Sequence, residues 1–353
     1  MDKIRLAFLG CGKIAQVRHI PEAARRADVE IAGYYNRSPL KAHQMAKLYG
    51  GKVYGSEEEL LKDEDIDAVI ISSANHLHMK LTIEALSQGK HVLCEKPMAM
   101  TLEDSIAMVE ASKKTGRILD IAHNQRLNKA HLKAKELIKN GAIGKVLSFR
   151  STFGHGGPET WSSSPGKDVW FFKKDAAGMG AMADLGIHKT DLLQYLTGEK
   201  ISEVSAMMGT LDKRDETGEL ITVDDNAVCL FRLESGALGT MTVSWTYYGP
   251  EDNSTRIFGT EGILYVYEDE EHPLKLIRKD HTAVYFEVDE MQTNDQQTVS
   301  GVMDSFLEDV KRGESSILSA SEILYSMQVV FACQEAFRTG KTIKVNELKG
   351  VVE

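Results

Sequence analysis

No stretch of this 353-residue chain approaches the roughly 18 unbroken apolar residues that a membrane span needs. The opening MDKIRLAFLG holds a short apolar run that leads straight into a glycine turn, unlike a secretory leader with its cleavage site. Cysteine is sparse: Cys11, Cys94, Cys229 and Cys333 lie far apart without C-x-x-C spacing, so neither a zinc site nor a disulfide framework is suggested. A reducing, cytoplasmic setting is expected. Positive charge is in deficit, 42 Lys and Arg against 52 Asp and Glu, and the net charge of −10 disfavours non-specific attraction to nucleic acid or to an anionic membrane. A Ser/Gly linker, low-complexity segments and internal repeats are also missing. What remains is ordinary for a globular protein, 42% hydrophobic and 27% charged, at a length beyond what one core usually organises. Two domains are expected.

Short apolar runs broken at glycines alternate with longer amphipathic stretches through the first third. Strands are predicted at Ile4–Leu9, Val29–Tyr35, Ala68–Ser72 and His91–Cys94, and helices at Ile14–Arg26, Pro39–Leu48, Met79–Gln88 and Thr101–Thr115. Alternation with short connections implies a parallel sheet covered on both faces, a doubly wound α/β domain over residues 1–123. After a helix at Lys129–Asn140 the texture turns β-rich, with runs at Val146–Thr152, Ser202–Leu211, Ala227–Leu233, Leu238–Thr246 and Gly262–Tyr267, several of them alternating apolar and polar. Helices at Val302–Arg312 and Ala320–Thr339 close the chain. Residues 124–353 thus read as an α+β domain with a large, mainly antiparallel open sheet. Its uncovered face calls for a second subunit, so a homodimer or homotetramer is expected.

Between the first strand and the first helix stands GCGKIA, a G-x-G-x-x-A loop. Gly10 permits the tight turn, Gly12 lets backbone approach a pyrophosphate, and Ala15 lets helix pack on strand. Lys13 and Ile14 open the helix whose free N–H groups face the phosphates. Where an acid commonly holds the ribose hydroxyls, about 20 residues on, this chain has Asn36, Arg37 and Ser38. A neutral residue beside a guanidinium suits a 2′-phosphate, so the cofactor reading is NAD(P) with a lean to NADP. The alternative leaves Arg37 as a solvated turn residue and NAD as the cofactor.

Further motifs follow in order: SSANHLH at Ser72–His78, CEKP at Cys94–Pro97, HNQR at His123–Arg126 and DLGIHKTD at Asp184–Asp191. In that order and spacing, over essentially its whole length, the chain resembles the Gfo/Idh/MocA family, the relatives of glucose-fructose oxidoreductase and inositol dehydrogenase. The resemblance implies that Ser73, Asn75, His76 and His78 lie near the cofactor, that Glu95 and Lys96 lie beside the nicotinamide with Pro97 after a cis peptide, and that Asn124 completes that side. It also implies that Lys96, Asp184 and His188 form the catalytic group.

The residues themselves agree with this chemistry. Asp184 and His188 are four apart and share a face if Ala183–Leu196 is helical. An imidazole with an ordinary pKa near 6.5 suits proton exchange with a hydroxyl, and a carboxylate one turn away fixes its tautomer. Asp191 is either a second partner or a polar helix residue. Two ligands in register without a third give no metal site. On the substrate side, Arg126, His155, Trp161, Trp170 and Tyr248 are candidates for holding a sugar or polyol, and the glycine-rich loop FGHGGPETWSSSPGKDVWF departs from a simple family pattern. The expected reaction is reversible hydride transfer at a secondary alcohol of a sugar, inositol or related polyol. His188 would take the hydroxyl proton, Asp184 would orient the imidazole and Lys96 would stabilise the oxygen. The division of labour between His188 and Lys96 stays open. The competing readings are a glycosidase that retains its dinucleotide and a dinucleotide-sensing regulator without turnover.

Overall fold

In the computed structural model, which describes residues 3–269, 271–288 and 299–348, the glycine loop leaves a six-stranded parallel sheet. Its strands are β1 (Ile4–Leu9), β2 (Val29–Tyr35), β3 (Lys52–Val53), β4 (Ala68–Ile71), β5 (His91–Cys94) and β6 (Leu119–Ile121), in the order β3-β2-β1-β4-β5-β6. That order places β1 beside both β2 and β4, where the winding reverses and doubly wound sheets take ligands at the carboxyl ends of their strands. The four residues of β4, AVII, are all buried, which is why they read as an unbroken apolar run rather than an alternating one. Burial of side chains such as Ile70 and Ile71 contributes about 1.5–3 kcal/mol each relative to exposure.

Helices α1 (Ile20–Ala24), α2 (Pro39–Tyr49), α3 (Glu57–Lys62), α4 (His78–Ser87) and α5 (Leu102–Thr115) connect these strands. Helix α3 is capped by Ser56 Oγ accepting from Glu59 N, and α5 by Thr101 Oγ1 accepting from Asp104 N. The helix expected over Ile14–Arg26 is present, running to Ala24, and carries a π-helical turn, Ala15–His19, ahead of α1. A local change of helix pitch leaves no trace in hydrophobic periodicity.

The second sheet has nine strands: β7 (Val146–Gly154), β8 (Ile201–Gly209), β9 (Asn226–Leu233), β10 (Leu238–Ser244), β11 (Thr255–Gly259), β12 (Gly262–Val266), β13 (Leu274–Arg278), β14 (Ala283–Phe286) and β15 (Ile343–Lys344). Their order is β14-β13-β12-β11-β7-β10-β9-β8-β15. All pairings are antiparallel except β7 with β10, where Phe153 lies opposite Val243 and Gly154 opposite Ser244. Strand β9 alternates buried Cys229, Phe231 and Leu233 with exposed Val228, Leu230 and Arg232, so one face of the sheet carries a core and the other is bare in the single chain. The core face receives α6 (Lys129–Lys139) and α9 (Ile187–Thr197), with the short helices α7 (Pro158–Trp161) and α8 (Lys174–Ala177) in the loops before α9.

The chain divides into two packed units. The first takes in the described residues of Met1–Asn124, Trp161–Ser164 and Asn294–Leu324, and the second those of Gln125–Thr160, Pro165–Thr293 and Tyr325–Glu353. Helix α10 (Val302–Arg312) therefore belongs with the parallel sheet, and α11 (Ala320–Thr339) runs from the first unit into the second. The reason is electrostatic. Glu22 accepts from Ser300 N and, at 3.3 Å, from Met303 N, covering free amides at the start of α10. Arg26 donates to Asp304 at 2.6 Å and to Glu308 at 2.8 Å while also holding Asp28.

Candidate active site

In the first unit the site begins where β1 ends. Gly10 has φ +105°, and a β-carbon there would stand 2.6 Å from Ser72 O, so no side chain fits. Gly12 is bare for another reason: a β-carbon would meet only Ser72 O, at 3.7 Å, so its absence leaves open space along the backbone instead of relieving a clash. The loop is pinned from behind by Gly10 N donating to Tyr35 O at 2.9 Å, Cys11 N to Asn36 Oδ1 at 2.8 Å and Gln16 Nε2 to Cys11 O at 2.7 Å. Lys13 and Ile14 lie half-buried at the entry to the π-helical turn. An open strip of backbone at the head of a helical segment is what a dinucleotide pyrophosphate requires, and these residues fit that group.

Asn36, expected at the ribose position, is held at both ends of its amide. Its second amide arm donates to Ser38 O at 2.9 Å, so both ends of the side chain fasten the β2–α2 turn to the glycine loop. Arg37 is exposed beside it. Lys41, in the first turn of α2, donates to Ser163 Oγ at 2.8 Å and to Ser164 Oγ at 3.2 Å. Burial drives the Cys11 thiol up to about 12 against the pull of the Lys41 charge, so this cysteine stays protonated at neutral pH.

The loop after β4 and the EKP turn brace one another. His78, expected near the cofactor, has Nδ1 at 2.8 Å from Pro97 O and Nε2 at 3.1 Å from Ser73 O, so its ring ties the two segments together. Burial pushes its imidazole below the ordinary value, against those two carbonyls. Asn75 is buried and His76 exposed on the same loop. Glu95 accepts from His19 Nε2 at 2.7 Å and from Lys96 N at 3.1 Å. Burial resists the ionisation of Glu95, but the hydrogen bond from His19 and the charges of His19, Lys96 and Arg18 outweigh it and hold the carboxyl at about 2. The Lys96–Pro97 peptide, in the turn that carries Lys96, is cis. Asn124 lies half-buried just beyond β6.

In the second unit the parallel pair organises the chemistry. Because β7 and β10 run the same way, their last residues hand over to His155 and Trp245 side by side, with His155 N donating to Ser244 O at 3.0 Å. The helix expected over Ala183–Leu196 consists of a π-helical turn, Met182–Gly186, continued by α9. Such turns recur at functional sites. Asp184 sits in the π-turn and His188 in the first turn of α9, both buried. Trp245 Nε1 donates to Asp184 Oδ2 at 3.1 Å. The Phe153 ring lies 5.8 Å from the His188 ring and 5.9 Å from the His155 ring. Next along α9, Lys189 is fully buried and donates to Asn253 O at 2.9 Å. Burial brings its ammonium down to about 7 against the charges of Asp252 and Glu251.

The remaining candidates have definite partners. Arg126 forms a two-pronged pair with Asp191, Nε to Oδ2 at 2.7 Å and Nη2 to Oδ1 at 2.6 Å, and Ser326 Oγ adds a third bond to that carboxylate at 2.9 Å. This buried clamp joins the segment after β6 to α9 and pairs the Arg126 charge within the unit. His155 Nδ1 accepts from Gly157 N at 2.9 Å. Lys213 Nζ donates to Gly156 O at 2.6 Å and to Glu159, and lies 4.7 Å over the Tyr248 ring. Tyr248 itself is exposed, its hydroxyl donating to Asp212. Trp170 stacks on Phe171 at 3.9 Å, whereas Trp161 falls in the short segment grouped with the first unit. Trp245, Asp224 and Lys189 escaped the sequence reading. Among the described residues no group of three His, Cys, Asp or Glu side chains stands ready for a metal ion, and no helix is long and apolar enough to cross a membrane.

Comparison with known proteins decides the family. The model of an oxidoreductase family with an NAD-binding Rossmann fold matches residues 4–123, and that of the Gfo/Idh/MocA C-terminal domain matches residues 131–265. The levoglucosan dehydrogenase of Pseudarthrobacter phenanthrenivorans is 34% identical over 283 residues, 74% of this chain and 69% of that protein. The chain belongs to the Gfo/Idh/MocA family. As a member it is an oxidoreductase with an NAD(P)-binding Rossmann domain. The myo-inositol 2-dehydrogenase of Thermotoga maritima is 26% identical over 98% of this chain and 100% of its own. A solved levoglucosan dehydrogenase in complex with NADH and levoglucosan superposes with a TM-score of 0.87 at 25% identity, over 98% of this chain and 100% of that one.

Proposed function

We propose that this Gfo/Idh/MocA oxidoreductase acts on a secondary alcohol, or the matching ketone, of a sugar, inositol or related polyol with NAD(P) as redox partner. The observation that carries the reading is the pair Asp184 and His188, buried one helical turn apart beside the carboxyl ends of β7 and β10. The relatives named for levoglucosan and myo-inositol share a ring bearing several hydroxyls, and this chain's polar loop residues suit such a substrate. Gly10, Gly12, Lys13, Ile14, Asn75 and Glu95 would hold the dinucleotide, which when bound supplies the hydride acceptor or donor. His188 exchanges the proton of the reacting hydroxyl, Asp184 holds the imidazole in one tautomer, and Lys96 donates a hydrogen bond to the oxygen as it gains charge. His155, Trp170 and Tyr248 orient the remaining hydroxyls. At the adenosine end, Asn36 with exposed Arg37 and nearby Lys41 supports a preference for NADP.

The bare face of the nine-stranded sheet supports a homodimer or homotetramer. Exposed Met207 on β8 pairs with exposed Val228 on β9, with Leu230 two residues along β9 and Leu238 at the start of β10. Four buried free thiols suit a reducing cytoplasm.

The test is a screen of sugars, inositols and anhydrosugars with NAD and NADP, read at the nicotinamide absorbance, followed by His188→Ala and Lys96→Ala on the best substrate. Loss of about 10²–10⁴ in turnover with intact dinucleotide affinity is expected for His188→Ala, and at least as much for Lys96→Ala. Near-normal turnover in both variants eliminates the mechanism. Glycoside cleavage without net nicotinamide reduction points to the glycosidase alternative.

A further inference from the structure

The geometry points to Trp245 as the positioning residue for Asp184, and this assignment rests on the reading of Asp184 and His188 as the proton-handling pair. Trp245 follows β10 directly, and its backbone N donates to Asp225 O at 2.8 Å, so the residue is fixed at its root. Its indole is wholly buried, and the single polar atom of that ring meets Asp184 Oδ2 at 3.1 Å. Phe172 packs against the ring at a centroid distance of 6.0 Å and Phe171 meets it edge-on at 6.5 Å.

The two halves of Asp184 are then held by different parts of the chain. Its backbone is set by the π-turn, with Asp184 N donating to Gly180 O at 3.0 Å, while rotation of its carboxylate is set by the indole. Indole is a donor only and carries no charge, so it fixes one carboxylate oxygen without adding a cation beside the imidazole. Because Phe171 also stacks on Trp170 at 3.9 Å, the same indole links the loop bearing Trp170 to the carboxylate. A sugar seated on Trp170 would thereby press on the element that aims Asp184.

A purely structural account is that Asp184 merely satisfies a buried N–H, and a double-mutant cycle separates the two. Trp245→Phe keeps an aromatic ring but removes the donor. Replacement by β-(3-benzothienyl)alanine, which swaps the N–H for sulfur at nearly constant shape, controls for the cavity. Each is made alone and with Asp184→Ala, and kcat, KM, dinucleotide affinity and Tm are measured on the full-length enzyme. The expected result is a fall of about tenfold in kcat for both replacements, the scale of one buried hydrogen bond, with KM and dinucleotide affinity within about twofold. In the Asp184→Ala background the same replacements should change kcat by less than about twofold. Full kcat in the benzothienyl protein, or an equal loss with and without Asp184, overturns the assignment. If Asp184→Ala itself leaves kcat intact, the proton-handling pair falls too; if Asp184→Ala is impaired and the benzothienyl protein is not, only the role of Trp245 falls.

Discussion

The backbone of Gly180 lies so close under Asp224 that a β-carbon on Gly180 would stand 1.9 Å from the Asp224 carbonyl oxygen. Gly180 N donates to Asp224 Oδ1 at 2.8 Å, Ala181 N to Asp224 O at 2.8 Å and Met182 N to Asp224 Oδ2 at 2.7 Å. Three consecutive amides at the head of the segment bearing Asp184 are thus tied to one residue. Gly180→Ala should cost about 1–3 kcal/mol through the forced main-chain shift. Turnover should fall with Tm, while dinucleotide affinity, a property of the other unit, stays constant. An unchanged melting curve would show that the turn relaxes freely.

Gly12→Val places methyl groups in the open strip beside the glycine loop, where only Ser72 O lies near a β-carbon. Its backbone does not need glycine's conformations, so the protein without cofactor should melt close to wild type. Titration with NAD(H) and NADP(H) should show no binding to the variant. Retained affinity would remove the pyrophosphate from this loop.

Cofactor choice tests the β2–α2 turn. In Asn36→Asp with Arg37→Ala, a carboxylate oxygen still accepts from Cys11 N, but the amide bond to Ser38 O is lost and a charge faces the ribose position. The ratio of kcat/KM for NADP over NAD should fall by at least about tenfold, the size of one lost charge-assisted contact. A wild type that already prefers NAD by a wide margin would contradict the NADP preference.

Glu95 makes a prediction about acid. Its folded-state value of about 2 lies below the ordinary 4.5, so its ionised form contributes stability at neutral pH that is lost as pH falls from about 4.5 towards 2. The contribution is on the order of 3 kcal/mol. Urea midpoints of wild type and Glu95→Gln should differ at pH 7 and converge across that window. Parallel pH profiles would mean that the His19 contact does not stabilise the carboxylate.

Legibility of this fold followed the range of the forces involved. Strands β4 and β5 are legible because AVII and the VLC of β5 are buried apolar runs that stand out in local sequence alone. The glycine loop was readable because Gly10 answers to local backbone geometry. The attachment of α10 to the parallel sheet was not, since Glu22 and Ser300 are 278 residues apart and each looks like an ordinary surface residue. Strands β11, β13 and β14 are only four or five residues long, too short for a period of two to stand out in sequence. The pairing of Arg126 with Asp191 is invisible in HNQR, because the two residues are 65 apart in sequence and meet only in the fold. Trp245 looked like the end of a strand, for the same reason.

The capping of α10 by Glu22 also bears on the order in which the protein is made. Chain emerging from a ribosome presents the parallel strands early, but the helix that answers Glu22 and Arg26 arrives only after β7–β14, eight of the nine strands of the other sheet, have been synthesised. The dinucleotide-binding half therefore waits, with the Glu22 carboxylate and the Arg26 guanidinium short of these partners, until α10 has been made. A nascent chain arrested before Val302 should remain protease-sensitive in its first hundred residues, and release of the last helices should protect it.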